Sequence, residues 1–268
     1  MRRAWLFQMV AIVPLAITAC GASVTASPSG APVTASPQPR TTAPSTPPGF
    51  ASAATVAPTP TPTASLPPGA VRYVAIGASD TVGVGASDPT TGSWPARIAA
   101  LLPPGSAYVN LGVSGSVAVQ AKDQQLPGAI AQKPTVVSIW LAVNDMNATI
   151  LPASYRDALG AIVDGLVART DAEVFVGNVP DLRGVPAYRD VDKNALLAQI
   201  AAYNDVIAAV TRSAPGRVFL VDLFTGSAPL VSTITVSGDG FHPSDEGYKL
   251  IAERFATAMR ANGVPLKP

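Results

Sequence analysis

Four short stretches, far apart in the chain, carry side chains that could do chemistry together. The first is Gly77-Ala78-Ser79, at the end of an apolar run. A serine at a strand-to-helix turn adds its own N–H to the unpaired donors of a helix start, where the dipole favours developing negative charge. The same serine could simply cap that helix, with Gly83 and Gly85 forming a turn. Asn110 to Gly115 and Ala142-Val143-Asn144-Asp145 each offer a compact donor, the Gly115 N–H and the Asn144 side-chain amide. Either donor alone is more often part of a turn than of an anion site. The last stretch, Asp239-Gly240-Phe241-His242-Pro243, holds the only histidine of the chain, with a carboxylate three residues before it, close enough to orient the ring. A His-Pro pair at a helix start can also be purely structural. Any step that needs an imidazole must use His242.

Several other chemistries fail on the residues. One cysteine excludes a disulfide framework and a Cys-based zinc site, and one histidine excludes the common multi-histidine metal sites. A dinucleotide fingerprint starting at Gly83-Val84-Gly85 would need glycine where Asp88 stands. The Gly-x-Ser-x-Gly elbow is absent, because Gly112-Val113-Ser114-Gly115-Ser116 misses at its last position.

The elements that must hold these stretches are legible as alternating periods. Short β-rich runs occur at residues 71–76, 107–111, 135–141, 173–178 and 218–222. Helical spacing fills residues 94–102, 116–132, 152–168, 193–212 and 243–262. In the last of these, Tyr248, Ile251, Ala252, Phe255 and Met259 form one buried stripe, and Pro243 suits its first helical position. Strand alternating with helix predicts an α/β fold of three layers, α/β/α, with a mainly parallel five-stranded sheet. Active sites of such open sheets lie beyond the carboxyl ends of the strands, which is where the four stretches fall.

In order and placement these stretches resemble the four sequence blocks of the SGNH (GDSL-type) hydrolase family, over roughly residues 72–262. The resemblance implies a flavodoxin-like SGNH fold and a catalytic domain over residues 71–268. It implies Ser79 as nucleophile and His242 as base, oriented by Asp239. The oxyanion hole would be the Ser79 N–H, the Gly115 N–H and the Asn144 side chain. Gly177-Asn178-Val179-Pro180-Asp181 also resembles a stretch common in these enzymes, without an assigned role. Two departures stand out: Ala78 and Asp80 flank the serine where Asp and Leu or Ile are usual, and Ala142 replaces a usual glycine. The implied reaction is ester hydrolysis through an acyl-enzyme, which calls for no cofactor and no metal. The substrate would be a small-molecule, lipid or acylated-glycan ester. The alternative from another class is a catalytically silent module that binds a glycan or ester on the same fold.

The N-terminal quarter has a different task. Arg2-Arg3, an apolar run over residues 4–16 and small residues ending at Cys20 have the layout of an export signal. The Leu15-to-Cys20 stretch resembles a bacterial lipobox, so Cys20 is the expected lipidation site. Residues 21–70 are almost wholly Ala, Pro, Thr, Ser and Gly, and such a stretch cannot bury enough apolar surface to order itself. It reads as a tether holding the domain off an extracytoplasmic membrane surface. A formal net charge of +1 and no basic run beyond Arg2-Arg3 speak against a nucleic-acid partner.

Overall fold

The computed structural model describes residues 66–232 and 234–268. The export signal, Cys20 and the tether up to residue 65 lie outside the described residues. Leu66–Ala70, expected to close the tether, already form a turn in which the Ala70 N–H donates to Pro67 O at 3.0 Å, so the ordered chain starts before residue 71.

Five strands form one parallel sheet: β1 (Arg72–Gly77), β2 (Ala107–Asn110), β3 (Val136–Trp140), β4 (Glu173–Gly177) and β5 (Val218–Val221). Each lies within a residue or two of the predicted run. Their order is β2-β1-β3-β4-β5. The chain therefore leaves β1 for one side and returns to pair β3 on its other side. That reversal opens a crevice beyond the carboxyl ends of β1 and β3, where sheets of this order bind ligands. Both strands are buried almost throughout, as strands covered on two faces must be.

The helices are α1 (Ser79–Val82), α2 (Pro89–Gly92), α3 (Trp94–Ala100), α4 (Ala118–Gln124), α5 (Leu126–Ala131), α6 (Val143–Asn147), α7 (Pro152–Arg169), α8 (Lys193–Thr211) and α9 (Asp245–Ala261). Val74, Ile76, Val137, Ile139, Val174 and Val176 point to one face of the sheet and pack with residues of α4, α5, α7 and α8. Tyr73, Ala75, Trp140, Phe175 and Val221 point to the other, against Trp94 and Ile98 of α3 and Tyr248 and Phe255 of α9. There Trp94 stacks on Phe255 with ring centroids 4.3 Å apart. Period-two alternation along each strand thus separates two cores, and the three-layer α/β/α arrangement follows.

Two expectations for the helices need correction. The segment 116–132 is two helices, not one, because Pro127 has no N–H to continue the ladder and its ring crowds the carbonyl four residues back. The break at Gln125 turns that side chain inward, where it is 2 % exposed. Pro243 is also not the first residue of the last helix. Ser244 is the N-cap of α9, its Oγ accepting from Gly247 N, and Pro243 sits in an isolated bridge with Val236 before the helix begins. The one-turn helices α1, α2 and α6 are too short to show a period; of the three, only the helix start at Ser79 is expected from the sequence.

Candidate active site

Ser79 opens α1 directly after β1 and is 7 % exposed. The approach to it is tight. A Cβ on Gly77 would lie 2.0 Å from Thr81 Oγ1 and 2.7 Å from Trp140 O, so only glycine fits at this turn. No protein group accepts the Ser79 N–H among the described residues. This leaves an unpaired N–H donor beside the hydroxyl, as expected at a first helical position.

The structure brings the C-terminal stretch onto that serine. His242 Nε2 is 2.9 Å from Ser79 Oγ, and His242 Nδ1 is 2.6 Å from Asp239 Oδ2. The other oxygen of Asp239 accepts from Ser237 Oγ at 2.8 Å, Phe241 N at 2.8 Å and His242 N at 3.0 Å. Burial alone would raise the Asp239 carboxyl. The bonds from the imidazole, these two N–H groups and Ser237 outweigh it and hold the carboxyl well below the usual carboxylate range. Asp239 is therefore ionised wherever His242 works, and it fixes both the ring and the turn that carries it. Phe241 packs edge-on against the imidazole, centroids 4.8 Å apart. Gly85 closes on the turn from the other side: a Cβ there would lie 2.5 Å from Pro243 O and 3.0 Å from His242 Cβ.

The two donor stretches flank the serine. Gly115 has φ +79°, is exposed, and its N–H has no protein partner among the described residues. Asn144 lies in the first turn of α6, just beyond β3, half-buried, with Nδ2 donating to Ser116 O at 3.0 Å. One amide hydrogen is thus spent on holding the two loops together, and the second is left to donate. Asn110 ties the end of β2 to α1, its Nδ2 donating to Thr81 O at 2.6 Å and its Oδ1 accepting from Gly112 N. Ala142, in the place of the usual glycine, has φ +91° and ψ −41°. That backbone costs a residue with a Cβ of order 1–3 kcal/mol, so this loop is held in its bend by its surroundings. Asn178, in the unassigned stretch, bonds Asp222 and the N–H groups of Leu223 and Phe224, which makes it a tie between β4 and β5.

Two buried polar residues support these loops without having been expected to. Gln125 clamps Gly77: Oε1 accepts from its N–H at 2.9 Å, and Nε2 donates to its C=O at 3.0 Å and to Ser116 Oγ at 3.2 Å. It therefore connects the residue two before Ser79 to the residue that holds Asn144. Gln125→Leu strands the buried Gly77 N–H, a loss of about 1–3 kcal/mol. Urea unfolding should show a lower midpoint at unchanged slope.

Asp145, 1 % exposed, accepts the Ala118 N–H on both oxygens at 3.1 Å. Burial pushes its carboxyl up to about 6, against the pull of those backbone bonds. The folded state thus holds this proton where the unfolded chain has released it, and ionisation destabilises the fold as pH rises from about 4 past 6. Asp145→Asn removes the titration, so wild-type stability relative to the variant should fall by up to about 3 kcal/mol between pH 4 and pH 7 in parallel denaturant titrations.

One more carboxyl lies here. Asp80, next to the serine and half-buried, is pushed up to about 6 by burial, while His242 and its own backbone N–H pull the other way. Beside it opens an apolar cavity of about 110 Å³ whose walls include Trp140, Val143, Leu182, Phe241 and Ile251. A space of that size takes several water-sized groups at roughly 10–15 Å³ each. Among the described residues no three His, Cys, Asp or Glu side chains are grouped to hold a metal ion. A serine, an imidazole and an ionised carboxylate bonded in sequence, with free N–H donors alongside, can transfer an acyl group.

The model of the GDSL-like lipase/acylhydrolase family matches residues 75–250, which contain Ser79, Gly115, Asn144, Asp239 and His242. The fold is similar to that of TesA, at 23 % identity over 71 % of this chain and 99 % of that one, with a TM-score of 0.57. It is similar to the lipase/acylhydrolase from Enterococcus faecalis, at 20 % identity over 74 % and 98 %, TM-score 0.56. It is also similar to the esterase EstA from Pseudoalteromonas sp., at 16 % identity over 71 % and 97 %, TM-score 0.55. No curated protein sequence matches the chain.

Proposed function

Since the chain belongs to the GDSL-like lipase/acylhydrolase family and is a serine ester hydrolase, we propose that Ser79, His242 and Asp239 are its nucleophile, base and orienting carboxylate. The observation that carries this reading is the unbroken relay from Ser79 Oγ through both nitrogens of His242 to Asp239 Oδ2, at 2.9 and 2.6 Å. His242 Nε2 takes the Ser79 proton as Oγ attacks the ester carbonyl carbon. The carbonyl oxygen becomes an oxyanion that accepts from the Ser79 N–H, the Gly115 N–H and the second Asn144 amide hydrogen. Asp239 stabilises the imidazolium and keeps Nδ1 the protonated nitrogen. His242 then returns the proton to the departing alcohol, leaving the acyl group on Ser79. Water enters and gives a proton to His242 as it attacks the acyl carbon, and His242 passes that proton to Ser79 Oγ as the acyl group leaves as the free acid.

The test is labelling of the full-length chain with a fluorophosphonate, which traps an activated serine and mimics the tetrahedral intermediate. One equivalent should attach at Ser79, and none to Ser79→Ala. A native protein that stays unlabelled and turns over no aryl acetate would instead be a silent binding module.

The enzyme acts, on this reading, outside the cytoplasm on a lipid anchor at Cys20. The support is the N-terminal sequence: paired arginines, an apolar run and small residues ending at the one cysteine of the chain. Among the described residues no helix is long and apolar enough to cross a membrane. Two or more acyl chains at one N-terminus anchor stably where a single chain does not. Cys20→Ala should leave unprocessed precursor or move the protein out of the membrane fraction, read by fractionation and gel mobility. A variant that stays in the membrane at unchanged mobility would mean that an uncleaved apolar helix is the anchor.

A further inference from the structure

We propose that Asp80 makes the cavity beside Ser79 selective for esters whose acyl chain carries a hydrogen-bond donor, a hydroxyl or an ammonium, close to the carbonyl. This rests on the reading of Ser79 as the nucleophile. Sequence neighbours of the reacting residues line the cavity: Asp80 follows Ser79, Val143 precedes Asn144, and Phe241 and Pro243 bracket His242. The acyl group stays bonded to Ser79 through both half-reactions, whereas the alcohol must leave and water must arrive. A walled space beside the serine therefore suits the acyl group, and the open side suits the exchange.

Within that wall the polar side chains are already engaged, with one exception. Tyr188 donates to Asn147 Oδ1 at 2.8 Å, and Arg254 Nη1 donates to the carbonyls of Asp222 and Thr225. Ser227 Oγ donates to Phe224 O and accepts from Asp181 N, and Thr235 Oγ1 donates to Leu230 O. The Asp80 carboxylate has no hydrogen bond from any other described residue. It sits within the electrostatic reach of His242, Asp239, Tyr188 and Tyr248, between the catalytic residues and the cavity. The Tyr248 hydroxyl is spent on Val84 O.

A plain alkyl chain entering this cavity would strip water from that carboxylate and give nothing back, which a half-buried charge resists. A chain with a donor on its second or third carbon would replace the lost water with a charge-assisted bond. The position next to the nucleophile sets where the donor must be. It also explains how an acidic residue is tolerated where the resembling family usually has Leu or Ile: its partner arrives with the substrate.

The experiment compares 4-nitrophenyl acetate, butyrate, 3-hydroxybutyrate and 3-aminobutyrate as substrates of the full-length chain. Acetate is too short to reach past the serine, and its turnover reports on the hydrolase reading alone. If acetate is not hydrolysed, that reading fails and this one with it. If acetate is hydrolysed, wild type should prefer 3-hydroxybutyrate or 3-aminobutyrate over butyrate by about tenfold or more in kcat/KM, the worth of one net hydrogen bond. A stronger preference for the amino ester identifies the carboxylate as a charge partner, and equal preference identifies it as a neutral-donor acceptor.

Each variant is scored by these ratios against its own acetate rate. Asp80→Leu should lose both preferences and gain on butyrate. Asp80→Asn, which keeps an acceptor oxygen without the charge, should retain part of the hydroxyl preference and lose the ammonium one. Equal or better turnover of butyrate by wild type overturns the proposal even if a variant fails to fold. So does an Asp80→Leu variant with the wild-type ratios.

Discussion

Ser79→Ala and His242→Ala should each lower kcat/KM for an aryl ester by about 10⁴-fold or more, and the double variant should be little worse than either. The 2.9 Å contact between Ser79 Oγ and His242 Nε2 makes them one device. Without the base the hydroxyl is a weak nucleophile, and without the hydroxyl the base has nothing to activate. Additive losses would mean that the two act in separate steps. Asp239→Asn should cost as much or somewhat less, through kcat, because the amide favours the wrong imidazole tautomer at Nδ1. Asp239→Ala should add instability, because Oδ1 also holds Ser237, Phe241 N and His242 N. The chain has one histidine, so no second imidazole can rescue His242→Ala. Retained activity in that variant would sink the mechanism.

These residues were legible before any coordinates because each lies at the end of a strong local signal. Ser79 and Asn144 follow apolar runs that form buried strands, Asn110 ends an edge strand, and His242 precedes a helix with a clear apolar stripe. The sheet itself follows from the same runs. What was not legible depends on contacts between distant segments. Gln125 lies within a stretch of unbroken helical spacing, and only the break at Pro127 turns it onto Gly77, 48 residues away in sequence. The Gln-Leu-Pro sequence was the available signal, and proline inside a helical pattern should have split that helix. The engagement of Asp145 with the Ala118 N–H belongs to the tertiary fold, and nothing in the sequence around Asp145 signals it. Ala142 was visible as a departure from a usual glycine, but its cost is visible only as φ +91°. The cavity had no signal at all. Its outer wall is the stretch between β5 and α9, which has neither helical nor strand period, so nothing in the sequence announced that Leu230, Val231 and Val236 would fold over the end of the sheet.

Asn144→Ala should lower kcat by about 10²–10³-fold, close to 3 kcal/mol of transition-state stabilisation, with KM nearly unchanged. Of the three donors assigned to the oxyanion it is the only side chain, so it alone can be deleted without touching the backbone. Its hydrogen bond to Ser116 O at 3.0 Å fixes the amide rotamer before any substrate arrives. A donor aimed in advance at charge that exists only in the transition state raises kcat and leaves ground-state binding alone. Affinity for an aldehyde or trifluoromethyl ketone, which forms a tetrahedral oxyanion on Ser79, should fall by the same factor as kcat. Affinity for an unreactive ester analogue should not. Asn144→Asp adds repulsion to the losses caused by alanine. It keeps the shape but sets a carboxylate against Ser116 O, losing both the donor and the tie between the loops, so it should be worse than alanine in rate and less stable as well. If Asn144→Ala instead raises KM and spares kcat, Asn144 binds substrate rather than the oxyanion. The two backbone donors at Ser79 and Gly115 would then carry the charge alone.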